Sequence, residues 1–121
     1  MLLNSYFTIA SHRQQEDGHY FDLRLIADCE VYQGHFPGRP VSPGVCSLQM
    51  IKECAEQVVG RPLMLPLVNQ CRYTALLTPQ DCPEIQLHLV LTDQEGSYLL
   101  TAKLFRGETT YLELKAQAVA E

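Results

Sequence analysis

From Gln33 to Gly44 the chain reads QGHFPGRPVSPG, three prolines and three glycines in twelve residues, and the fifteen residues after it, Val45 to Val59, contain neither. Proline locks φ and removes a backbone donor, so the first stretch can be neither helix nor central strand. The second has nothing to interrupt a helix, and Gly60-Arg61-Pro62 supplies a C-cap glycine and a following proline to stop it. A long structured loop therefore feeds one helix. At about 100° per residue Leu48, Ile51, Cys54, Ala55 and Val58 share one side, and Gln49, Lys52, Glu53 and Glu56 share the other. The predicted helix is amphipathic, with Glu53 on a wet face beside Lys52 and Glu56. Its N-terminus presents unpaired N–H groups and the positive end of the helix dipole, which favour an anion or a polarised carbonyl.

The rest reads as strands. Phe21, Leu23 and Leu25 alternate with Tyr20, Asp22 and Arg24, and Ser5 to Ala10 makes a partner across a polar loop with an Asp17-Gly18 turn. Strands are also predicted over Leu63–Leu77, Glu84–Leu91, Ser97–Phe105 and Thr110–Val119, as a hairpin-connected meander. The turns fall at Thr78-Pro79-Gln80-Asp81, Asp93-Gln94-Glu95-Gly96 and Arg106-Gly107-Glu108. One apolar sheet face needs cover and one long helix is available, so the economical fold is α+β, with an antiparallel sheet curved around a central helix. With 121 residues, 46% of them hydrophobic, the chain makes one domain, 1–121.

Composition narrows the function classes. The net charge of −5 and the scattered lysines and arginines disfavour nucleic acid. No apolar run approaches the roughly 20 residues of a membrane helix, and the N-terminal residues lack signal-peptide features, so the expected home is the cytoplasm. Cys29, Cys46, Cys54, Cys71 and Cys82 are odd in number and form no C-x-x-C, which reads as reduced, mostly buried filler. Cys46, near the helix start, is a weak nucleophile candidate without an evident base. Neither metal-ligand spacing nor a G-x-S-x-G elbow occurs, so no metal or cofactor is expected. His12, His19 and His88 sit in no motif and read as structural or solvated.

The segment from Gly34 to Gln57, GHFPGRPVSPGVCSLQMIKECAEQ, resembles the active-site segment of FabZ and FabA type 3-hydroxyacyl-(acyl carrier protein) dehydratases, with their G-H-F-P-x-x-P-x-x-P-G-V pattern before a helix. VNQCRYTALLTPQD and the closing strands around Arg106-Gly107-Glu108 follow in the family's order. The resemblance implies the hotdog fold, a thioester substrate on an acyl carrier protein, and a homodimer or trimer of dimers with sites at the subunit boundary. It implies that His35 abstracts the C2 proton, an apt task for an imidazole near neutrality. Gly44 would donate its N–H to the thioester carbonyl, and Phe36 and Val45 would wall an acyl tunnel. An acidic carrier needs a local basic patch, for which Arg39, Lys52, Arg61 and Arg72 are the candidates.

One departure bears on the chemistry. The family's helix carboxylate, fourteen residues after the histidine, is here Gln49, and the family's glutamine one turn later is here Glu53. The carboxylate has moved one turn, about 5 to 6 Å, along the same helix face. Three readings stay open: dehydration with Gln49 orienting the hydroxyl or a water and His35 or Glu53 supplying the proton; another thioester task such as hydrolysis or binding; and a non-catalytic subunit of a heteromeric dehydratase.

Overall fold

The computed structural model describes residues 3–4, 6–26, 44–75 and 83–121. Its elements are β1 (Phe7–Gln15), β2 (Gly18–Leu25), α1 (Gly44–Val59), β3 (Leu63–Tyr73), β4 (Glu84–Gln94), β5 (Ser97–Arg106) and β6 (Thr109–Ala120). All strand pairing is antiparallel, in one six-stranded sheet of order β1-β2-β4-β5-β6-β3. Only β4–β5–β6 is a meander. In place of the expected hairpin between β3 and β4, β4 pairs with β2 and β3 pairs with β6 at the opposite edge of the sheet. The tight Glu95-Gly96 and Gly107-Glu108 turns keep β4, β5 and β6 adjacent.

The buried face follows the alternation in the sequence. Phe21, Leu23 and Leu25 of β2, Ile85, Leu87 and Leu89 of β4, Leu100, Ala102 and Leu104 of β5, and Leu112, Leu114, Ala116 and Ala118 of β6 form one core with Met50, Ile51, Cys54 and Ala55 of α1. Fully burying a leucine or phenylalanine side chain contributes about 1.5 to 3 kcal/mol, so this shared face is the main force holding helix to sheet. Small residues in the last strand, Ala116 and Ala118, leave room for larger neighbours.

The first hairpin is longer than its apolar pattern. β1 runs to Gln15 and β2 starts at Gly18, so the expected polar loop after Ala10 is strand, turning at Glu16-Asp17. Polar cross-strand partners hold it. Asp22 accepts from Ser11 Oγ at 2.5 Å, Arg13 Nη1 at 2.7 Å and Gln86 Nε2 at 3.1 Å. His12 Nε2 lies 2.9 Å from His19 Nδ1, and the His12 ring stacks on Phe21. Gly18, at φ +127°, sits where an added Cβ would lie 2.7 Å from the Leu89 carbonyl oxygen of β4. His88 lies against the same turn, 2.7 Å from the Asp17 carbonyl oxygen and stacked on Tyr20, so all three motif-free histidines have structural partners.

β3 differs from the other strands. It carries two register shifts against β6, and Pro66, which has no N–H to give a ladder, falls in the first. Met64, Leu67, Val68 and Tyr73 are 42 to 56% exposed along it. Among the described residues its outer edge pairs with no strand. Such an edge is normally short, charged or covered.

Candidate functional site

Helix α1 starts at Gly44, the last residue of the proline- and glycine-rich sequence, so the Gly44 N–H lies in the first turn, where a helix supplies no acceptor of its own. The far end stops as its sequence predicts. Gly60, at φ +83°, adopts a left-handed conformation and donates its N–H to the Glu56 carbonyl at 2.8 Å. The Glu56 carboxylate accepts the Leu63 N–H at 2.8 Å, which ties the start of β3 to the helix. His35, Phe36 and Arg39 lie outside the described residues, as does the side chain of Val45.

Gln49 and Glu53 are brought together. Gln49 Nε2 donates to Glu53 Oε2 at 2.9 Å, the expected reach of an i, i+4 pair. Glu53 Oε1 accepts the backbone N–H of Leu3 at 2.9 Å. Glu53 is 1% exposed, which overturns the expectation of a solvated helix face. Periodicity misplaced it because one of its partners is the backbone of Leu3, fifty residues away in sequence. Tyr6 and Phe7 are fully buried, and Ile26 donates its N–H to the Tyr6 carbonyl, so the chain beyond Leu3 is anchored. Burying a carboxylate is costly unless N–H donors meet it, and here two do. Gln49 is half-buried, and no described residue donates to its carbonyl oxygen.

Met50 is fully buried and Ser47 is 5% exposed, so α1 is enclosed over more than the one side that its apolar spacing predicts. The neighbouring thiol of Cys54 is pushed up to about 12 by burial and by the Glu53 charge. It is inert filler, as its position on the apolar side implies. Cys46 and Cys71 are half-buried and form no disulfide among the described residues, and Cys29 and Cys82 lie outside them.

Of the basic candidates, Lys52 is half-buried on α1 and Arg61 is exposed just beyond it. Arg72 is grouped elsewhere, with Lys103, Lys115 and His88 around a groove of about 400 Å³ that crosses the sheet and also holds Glu113, 3.8 Å from Arg72. A second groove of about 550 Å³ is lined by Arg24, Glu84 and Arg106. Neither includes Gln49 or Glu53. Among the described residues no cluster of metal-ligating side chains occurs, and no helix is long and apolar enough to cross a membrane.

Among the described residues, one long helix packed on this antiparallel sheet, in a chain that carries G-H-F-P ahead of it, defines a hotdog-fold protein of the dehydratase type. A family model described as ApeI dehydratase, ApeI-like, matches residues 11–110, so the chain belongs to the ApeI-like dehydratase family. A chain of the dehydratase heterocomplex ApeI:P from Xenorhabdus doucetiae superposes with a TM-score of 0.75, covering 92% of this chain and 96% of that one at 18% identity. An uncharacterized protein from Erwinia carotovora gives a TM-score of 0.63 at 19% identity, covering 91% and 90%.

Sequence relatives agree with the dehydratase type. The 3-hydroxyacyl-(acyl carrier protein) dehydratase FabZ of Levilactobacillus brevis is 31% identical over 68 residues, 50% of this chain and 46% of that one. FabZ of Syntrophotalea carbinolica is 25% identical over 96 residues, 73% and 65%. The chain thus spans about half the length of the first of these relatives and just under two thirds of the second.

Proposed function

We propose that this chain dehydrates 3-hydroxyacyl thioesters carried on an acyl carrier protein to trans-2-enoyl thioesters, in a fatty-acid-like or specialised lipid or polyene pathway. Its membership of a dehydratase family together with the Gly34–Val45 motif carries the reading. The C2–H bond breaks as His35 takes the proton, the C2–C3 double bond forms, and the C3–O bond breaks. The same imidazolium returns its proton to the departing hydroxyl, so one water leaves and the histidine is restored. The Gly44 N–H, at the start of α1, supports the thioester oxygen as charge develops on it. Phe36 and Val45 wall the acyl tunnel. Gln49 stands beside the hydroxyl where relatives place an acid, and Glu53 backs it. No cofactor takes part.

The proposed assembly is a homodimer, or a trimer of dimers, joined through the apolar outer edge of β3, with each site at the subunit boundary and the protein in the cytoplasm. A second reading is favoured by one observation: an amide cannot protonate a leaving hydroxyl. On that reading the chain is the non-catalytic partner in a heteromeric dehydratase whose other subunit brings the acid, and the similar chain from Xenorhabdus doucetiae comes from a dehydratase heterocomplex.

Mass spectrometry of a 3-hydroxyacyl carrier series, with wild type and Gln49→Glu, separates these readings. Loss of one water with wild type alone supports the dehydratase. An inert wild type with an active Gln49→Glu supports the partner subunit, and release of free acid would replace both with a thioesterase.

A further inference from the structure

On the face of the sheet turned away from the buried core, His88, Lys103, Glu113 and Arg72 stand opposite one another in one row across four strands. Thr101, Lys115 and Gln70 form the next row, and together they line the groove of about 400 Å³. Arg72, Lys103 and Lys115 share it with one carboxylate, Glu113, which lies 3.8 Å from Arg72. Elsewhere on the sheet Arg13, Arg24 and Arg106 each lie 3.6 Å or less from a carboxylate. Lys103 and Lys115 are exposed and pair with no carboxylate among the described residues. A chain of net charge −5 thus keeps neighbouring cations uncompensated in one groove. The turn between β4 and β5 carries the complement. Asp93 and Glu95 are exposed and in no ion pair among the described residues. Glu95 stands at φ +41° before Gly96 at φ +92°, left-handed positions that asparagine and glycine occupy more readily than glutamate. A carboxylate is held at this tip against the local backbone preference, a strain of the kind that gathers at binding sites. From Glu95 to Lys103 the extended chain runs roughly 25 Å, so tip and groove do not meet within one molecule.

We propose that the tip of one copy, with Asp93 and Glu95, docks in the groove of a second copy, against Lys103, Lys115 and Arg72. The contact joins two different surfaces, so it repeats from copy to copy and closes into a ring or extends as a chain. It is separate from pairing along the apolar β3 edge and independent of the acyl-thioester reading. Exposed ion pairs are individually weak and screened by salt, so the contact forms at high protein concentration and low ionic strength. The test is the weight-average mass, by sedimentation, of concentrated wild type in about 0.01 M and about 1 M sodium chloride, where exposed charges act over about 30 Å and about 3 Å. Wild type is expected to be heavier at low salt. Lys103→Glu with Lys115→Glu, and separately Asp93→Lys with Glu95→Lys, should each weaken the low-salt association about tenfold or more. Reversing the acids brings the net charge of −5 closer to zero, so a loss there does not come from general repulsion. An equimolar mixture of the two reversed proteins should associate again, because each offers the other an opposite charge. Far-ultraviolet circular dichroism checks the fold of each. Where a reversed protein does not fold, Lys103→Gln with Lys115→Gln, or Asp93→Asn with Glu95→Asn, takes its place and should weaken association too. Equal wild-type masses at the two salts, unchanged association in either folded variant, or a mixture of folded reversed proteins that stays apart would overturn this inference. Loss of acyl carrier protein binding by the groove variant, with its own association unchanged, would overturn it as well and give the groove to that carrier.

Discussion

Glu53 shows what a single residue's surroundings can hide from the sequence. Its spacing beside Lys52 and Glu56 predicts a wet face, yet Leu3 and Gln49 close over it. Nothing local signals that burial, since the covering backbone N–H carries no side-chain signature. Glu53→Ala would strand two N–H donors against a cavity and is expected to lower stability by about 2 to 4 kcal/mol in urea unfolding. A loss below about 0.5 kcal/mol would show that the Leu3 contact contributes nothing.

His19 titrates against stability. Burial, then the charge of His12, hold its imidazole below the ordinary value of 6.5. The folded state thus binds the proton less readily than the unfolded chain, so stability declines as pH falls from about 6.5 through the folded value. Thermal unfolding midpoints of wild type should drop more steeply than those of His19→Gln across that range, and parallel curves would exclude the effect.

At the scale of elements, punctuation and alternation decide what can be read in advance. The helix from Gly44 to Val59 is legible because proline and glycine bracket it, and β4 and β5 because leucines alternate along them. The far half of the first hairpin is not legible in this way. Its residues are polar on both faces, and what orders them is Ser11 and Arg13 of β1 and Gln86 of β4 converging on Asp22 of β2. Gly18 is the element's most constrained backbone position. Gly18→Ala must place a Cβ against the Leu89 carbonyl at a φ that side chains rarely adopt, and is expected to cost about 1 to 3 kcal/mol. An unchanged thermal midpoint would mean that the turn rebuilds without strain. The place of β3 was equally beyond a sequence reading, because no residue between Thr74 and Pro83 declares which edge the strand joins.

For the whole molecule, a sheet with one polar hairpin edge and one apolar edge is asymmetric. β1 carries Arg13, Gln14 and Gln15, charged and polar groups that discourage pairing, whereas β3 exposes Met64, Leu67, Val68 and Tyr73. Association is therefore expected through β3. Leu67→Lys with Val68→Lys should shift the light-scattering mass to a monomer while far-ultraviolet circular dichroism stays unchanged, and an unaltered mass would move the interface elsewhere. The architecture followed from alternation and one helix, and the family reading from a single loop motif. What that motif does chemically is the central claim. The most direct measurement is the initial rate of enoyl thioester formation, by absorbance, from a saturating 3-hydroxyacyl carrier with wild type and His35→Asn. The account predicts turnover by wild type and a fall of about a hundredfold or more in the variant. Equal rates in the two proteins would contradict it.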